Sequence, residues 1–266
     1  MLTGAKEIVV NCANRLSRYA ELTFVLTKKE IKVRYKSYLL GYIWSIANPL
    51  AFAFVFYVVF HLVMKIQIKN YVLFLISGLF PWQWFSNSVN ASTATFLGNA
   101  SLIKKIKFPR SSVVLAVVLQ DAAHFVFALP VVVILLLAHG RLPAVTWLWG
   151  IPALMFVQLL LTFGLALFLA TVNLFFRDME RLIAVIMVFV FYFTPVLYSD
   201  KMIPDKFRNL LTLHPVALLI ISWRRLLLDG VVTVPYLEIS LVHAVVIFFI
   251  GYMVYRKLTW RFAEVL

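Results

Sequence analysis

Charged residues and cysteine are both scarce in this chain. Asp, Glu, Lys and Arg make up 14% of its 266 residues and hydrophobic side chains 63%, whereas a soluble domain carries about 25% charged residues. So few ionisable groups cannot furnish the surface of a water-soluble fold of this size. Cys12 is the single cysteine, which excludes an internal disulfide framework. No G-x-x-x-x-G-K-[ST] phosphate loop, H-E-x-x-H, G-x-S-x-G or Cys/His cluster occurs. The chain is therefore expected not to bind ATP through such a loop, to carry no metal or cofactor, and to perform no catalysis of its own. An aromatic content of 16% excludes disorder.

What is abundant is long apolar sequence, so the chain is read as an all-α integral membrane protein. A span needs about 20 apolar residues, and six can be placed at about 39–64, 71–97, 112–138, 147–175, 182–199 and 239–258. Between the fifth and sixth, the segment of about 200–238 holds Leu210–Leu213 and Val216–Trp223, each too short to cross. Two re-entrant half-helices suit it better than a seventh span. The division expected is a cytoplasmic segment 1–38 with an interfacial helix, then a transmembrane domain 39–266 with a cytoplasmic loop at about 98–111.

The net charge of +14 would suit nucleic acid in a soluble protein, but here most bases flank apolar runs. Six spans place both termini on one side. That side carries Lys6, Arg15, Arg18, Lys28, Lys29, Lys32, Arg34 and Lys36 before the first span, then Lys104, Lys105, Lys107, Arg110, Arg177, Arg181, Arg256, Lys257 and Arg261. Outside the 200–238 segment, the opposite loops hold only Lys65, Lys69 and Arg141. The positive-inside rule makes both termini cytoplasmic.

Several patterns could carry function. Lys28, Lys32 and Lys36 recur every four residues, as Phe24, Ile31, Tyr35 and Leu39 do at helical spacing. This suits a helix lying along the bilayer surface. Its cations, with Arg34, either set topology, meet a lipid diphosphate or contact a partner protein. The second span turns polar at Ser86, Asn87, Ser88, Asn90, Ser92, Thr93 and Thr95, which must face helices or water. Gly78 and Pro81 ahead of it are expected to bend or break the helix. Phe52, Phe56 and Phe60 form one strip, and Phe189, Tyr192, Phe193 and Val196 another, serving either packing or a pathway lined by rings. Trp82 and Trp84 read as interface anchors. Asp121 and His124 share one helical face, as a structural hydrogen-bond pair or a proton relay. Asp178 and Glu180 read as a helix start rather than a metal site.

Four motifs in order resemble the membrane subunits of polysaccharide ABC exporters, which serve O-antigen, capsule and teichoic-acid export. They are Arg34–Trp44 with Asn48-Pro49-Leu50, Gly78–Ser88, Asn173–Asp178 and Phe193–Tyr198. Tyr38 and the His214-Pro215 pair depart from the family's usual residues. The resemblance implies a homodimer of this chain with two copies of a separate ATPase subunit, which binds the ATP. It implies that the surface helix and Lys104, Lys105, Lys107, Phe108 and Arg110 contact that ATPase. Phe52, Phe56, Phe60, Phe189, Tyr192 and Phe193 would line a channel, while Lys28, Lys32, Arg34 and Lys36 stay the candidates for a lipid diphosphate on the reading of the residues given above. The substrate would be a glycan on undecaprenyl diphosphate, crossing the bacterial inner membrane. Competing readings are an exporter of a drug or small lipid, an integral membrane enzyme acting on lipid-linked sugars, and a proton-coupled transporter relying on Asp121.

Overall fold

A computed structural model describes residues 17, 19–33, 43–65, 68, 70–106 and 108–266. All regular structure among them is helical. Helix α1 covers 19–33. It buries Leu26 against Val113 and Ala116, with Leu22, Leu102 and Phe108 packed around them. Phe24 and Val25 on its other side are exposed.

Helix α2 (Ile43–Phe56) runs on as a π-helix, Tyr57–Val63, where His61 stacks between Tyr57 and Tyr71 at 5.0 and 5.9 Å. Helix α3 (Tyr71–Thr93) is central, touching α2 with its π extension and five helices defined below. Of the bend or break expected at Gly78 and Pro81, the break does not occur: the helix is continuous through both. A proline inside a helix costs about 3 kcal/mol, and burial of nearly every residue from Leu73 to Phe85 offsets it. The chain breaks later, into α4 (Thr95–Gly98) and α5 (Ala100–Lys105).

Helices α6 (Ser111–Ala138) and α7 (Trp147–Phe175) follow, then the short α8 (Met179–Phe193). A 3-10 turn at Asp200–Met202 leads to α9 (Asp205–Arg208), α10 (Leu210–Leu213) and α11 (Ala217–Asp229). The pair Asp205–Leu213 and Ala217–Asp229 is bent by 98°. Helix α11 stops at Gly230, whose φ of 66° is left-handed, as the end of a helix favours. Helix α12 (Val234–Leu258) and the short α13 (Phe262–Val265) complete the chain. The helices touching α3 besides α2 and its π extension are α4, α6, α7, α8 and α11.

Among the described residues three helices are long and apolar enough to cross a bilayer: Ser111–Ala138, Trp147–Phe175 and Val234–Arg261. A fourth is added if the bent pair is one span. The other three segments read as spans correspond to α2 with its π extension, α3 and α8. Polar residues in the second half of α3 lower its hydropathy. The 15 residues of α8 reach only about 22 Å at 1.5 Å per residue.

The tightest helix crossing is between α7 and α12. A Cβ on Gly251 would overlap the carbonyl of Gly164, and one on Gly164 would overlap the backbone of Phe248. Missing side chains at both positions let the two backbones meet, the usual device for packing helices where the surroundings are as apolar as the helices.

Candidate functional site

A groove of about 370 Å³ lies between α2, α3 and α8. Phe52 and Phe56 from α2, Trp82 from α3, and Phe191 and Tyr192 from α8 form its rings. The rings are in contact: Phe52–Phe56 at 6.2 Å, Phe56–Phe191 at 5.8 Å, Trp82–Phe191 at 5.4 Å and Phe191–Tyr192 at 5.4 Å. Opposite them, α3 turns Gln83, Ser86, Asn87 and Asn90 into the same space. Spacing of three and four residues puts these on one helical face. Asn90 donates to the Ser86 carbonyl at 2.8 Å, whereas the amides of Gln83 and Asn87 have no partner among the described residues.

The polar row of α3 therefore divides between two faces. Ser88, Ser92, Thr93 and Thr95 turn inward and are satisfied there. Ser88 donates to Asp121 at 2.9 Å, while Ser92, Thr93 and Thr95 donate to carbonyls of their own helix. Asn173 on α7 donates to the Thr93 carbonyl at 3.0 Å and accepts from the Glu180 N–H at 3.0 Å, tying α3, α7 and the start of α8 together. Asp121 is buried and accepts from Ser88. Asp178 is the N-cap of α8 and Glu180 lies in its first turn. Among the described residues no group of three His, Cys, Asp or Glu side chains could hold a metal.

Of the six aromatics expected in a channel, Phe52, Phe56 and Tyr192 line the groove. Phe60 sits behind Phe56 at 6.1 Å and packs into the core rather than lining the space. Phe189 and Phe193 are 60% and 69% exposed and turn to the outer face of α8. The groove face of α8 is instead Ala184, Met187, Val188, Phe191 and Tyr192. Both faces of this helix are apolar, so periodicity alone cannot choose between them. Trp82 and Trp84 are not interface anchors: Trp82 faces Phe191, and Trp84 is buried against Phe125 at 5.5 Å.

The expected cations do not meet at this groove. Lys28 and Lys32 are exposed on α1, and Lys29 instead reaches Asn99 at 3.0 Å and Glu30 at 3.1 Å. Arg34, Lys36 and Lys107 lie outside the described residues. Lys104 and Lys105 are exposed in the last turn of α5. Phe108 packs inward beside Leu26. Arg110 donates to the Thr259 carbonyl at 2.6 Å and covers the Phe262 ring at 5.5 Å, bracing the C-terminal turn.

At the opposite end, sequence reasoning missed Arg224. It is 7% exposed, lies 3.7 Å over the Phe74 ring, and donates to the carbonyls of Pro195 and Val196, both at 2.8 Å. Gly78 leaves the space its guanidinium occupies. Arg225 beside it pairs with Asp200 at 3.1 Å and bonds Thr233 at 3.1 Å. Two consecutive arginines thus fasten the segment after α8 to α11. The double-Arg signal was visible in the sequence, but not the carbonyls it would find.

Residues 21–228 match the family described as ABC-2 type transporter. The chain is 46% identical over 246 residues to an O-antigen export system permease protein RfbA of Klebsiella pneumoniae, covering 92% of this chain and 95% of that protein. It is 32% identical over 219 residues to a protein of the same name from Myxococcus xanthus, covering 81% and 84%. It is 20% identical over 231 residues to the polysialic acid transport protein KpsM of Escherichia coli, covering 86% and 90%.

Proposed function

This chain belongs to the ABC-2 type transporter family, and we propose that it is the membrane subunit of an exporter of O-antigen-type polysaccharide. The glycan travels on an undecaprenyl diphosphate lipid across the bacterial inner membrane, and a separate ATPase subunit binds and hydrolyses the ATP. The curated relatives named for O-antigen export support the substrate class. The observation that carries the mechanism is the groove itself, where rings and amides face each other.

A glycan's hydroxyls each cost on the order of kcal/mol in hydrocarbon unless hydrogen-bonded. The amides of Gln83, Asn87 and Asn90 supply donors and acceptors, while the faces of Phe56, Phe191 and Tyr192 take the sugar's C–H faces. Flat contacts without fixed hydrogen-bond geometry suit a chain that must slide. An exporter of a drug or small lipid has no use for such an amide row, so this observation favours the glycan.

Six spans are formed by α2 with its π extension, α3, α6, α7, α8 and α12, with both termini cytoplasmic. The bent pair α9–α11 dips in from the far face as a gate. The groove is open along one side, and a second copy of the chain closes it. Helix α1 and the stretch of about 98–111 take up the ATPase's movement, with Lys104 and Lys105 exposed for that contact. Closure of the ATPase around ATP then biases the permease between inward- and outward-open states.

Reconstitution with the ATPase and lipid-linked glycan tests this reading. ATP-dependent transfer of the glycan to the vesicle's far face is expected, and the purified chain alone should hydrolyse no ATP. Hydrolysis without a partner, or no transfer by the complete assembly, overturns it.

A further inference from the structure

A second cavity, of about 300 Å³, lies where α1, the α3–α4 junction and α6 meet. We propose that it is a second sugar site, which holds one hydroxylated pyranose ring of the glycan beside its lipid-diphosphate end. The proposal rests on the export reading above.

Gln120 points to a ligand. It lines this cavity, is 5% exposed, and has no hydrogen-bond partner among the described residues. Its amide opens onto the cavity while the rest of the side chain is buried, and a pair of ligand hydroxyls bonds both its oxygen and its nitrogen. Asp121 stands next to it at the cavity wall, held by the Ser88 hydroxyl. Glu30 forms the rim, braced by Lys29, which also grips Asn99. Carboxylates and amides together accept from and donate to adjacent hydroxyls, the pattern a sugar ring presents.

Most of the remaining wall is small and apolar, with Ala91, Ala94 and Val117, and the Thr95 hydroxyl there donates to the Ala91 carbonyl. It leaves room for one ring rather than a run of them, since the volume is at the lower end for ligand pockets. Among the described residues lining the cavity none is a cation, so nothing in it draws the diphosphate inside. It sits outside, where α1 exposes Lys28 and Lys32 within a turn of Glu30. On α3, the face holding Asn87 and Asn90 in the groove continues one turn further to Ala94 in this cavity. A sugar leaving the cavity therefore meets the amide row next.

The test assembles this chain and its ATPase in lipid nanodiscs, with Cys12→Ser and a fluorinated tag on Val33→Cys at the cavity wall. Methyl pyranosides of glucose, galactose, mannose and N-acetylglucosamine are titrated while the fluorine resonance is followed. A saturable shift with at least one of them is expected. Gln120→Met keeps the side chain's length and should weaken it about thirtyfold, the worth of two neutral hydrogen bonds. Ala94→Leu fills the cavity and should abolish it. No saturable shift, or one that Gln120→Met leaves unchanged in a folded protein, overturns the site. A shift with phosphoethanolamine and none with pyranosides also overturns it, in favour of a phospholipid headgroup. Glycan transfer by the same assembly separates the two readings. Transfer without a pyranoside shift removes this cavity alone; a pyranoside shift without transfer removes the export reading and leaves the site.

Discussion

The guanidinium of Arg224 lies 3.7 Å over the Phe74 ring and donates to two backbone carbonyls, while nearby Asp200 is taken by Arg225. A planar fork can serve two carbonyls while stacked on a ring; an ammonium, with three donors around a compact point charge, can reach carbonyls but cannot stack in that way. Arg224→Met should therefore leave both carbonyls bare and lower stability by about 2–4 kcal/mol. A fall in the thermal midpoint in detergent checks this, with Arg224→Lys falling between parent and Met. In the groove, Phe191 touches Phe56, Trp82 and Tyr192, whereas Phe189 turns outward. Phe191→Ala should slow glycan transfer on the order of tenfold, equivalent to about 1.4 kcal/mol of lost ring contact. Phe189→Ala should leave the transfer rate per assembled transporter unchanged, measured in the same vesicles.

Helices here are held by what their crossings omit. Helix α7 meets α12 through Gly164 and Gly251, where even one methyl group would overlap backbone. Gly251→Ala should cost about 2 kcal/mol or more, because two rigid backbones must separate. Gly98 in α4 has nothing within 4 Å of a built Cβ. Gly98→Ala should be neutral or stabilising by up to about 1 kcal/mol, from helix propensity alone. Paired thermal melts of the two variants read the difference. Helix α3 shows how far element-level reading reaches. Its helical character and polar row were legible, but an unbroken path through Pro81 was not. That path depends on packing from several neighbours and on Gln158, which donates to the Pro81 carbonyl at 2.8 Å while accepting from the Trp223 indole.

At the scale of the whole molecule, the outer stripe of α8 is left apolar and uncovered. Val185, Ile186, Phe189 and Phe193 follow one another at helical spacing, all exposed. With the groove open beside them, a second copy is the occupant the proposed function requires. A lone cysteine at Phe189→Cys, in a Cys12→Ser background, should yield a crosslinked dimer with a short bifunctional reagent. The same placement at Phe249→Cys on α12, 57% exposed, should give monomer, because that side faces lipid. Equal crosslinking at both positions would refute the arrangement.

Composition alone determined that this chain is helical and lies in a membrane, because so little charge and so much apolar length leave no other solvent for it. Sequence also carried the family, since its four motifs stand in order over nearly the whole chain. Which face of each element does what was decided only by the tertiary structure. Phe191 rather than Phe189 borders the groove, Ser88 turns inward while Asn87 turns outward, and Gln120 opens onto a cavity. In an aqueous protein, the contrast of polar and apolar faces orients a helix. Where lipid and core are equally apolar that contrast vanishes, and orientation falls to close packing and to the buried hydrogen bonds that neighbouring helices can complete.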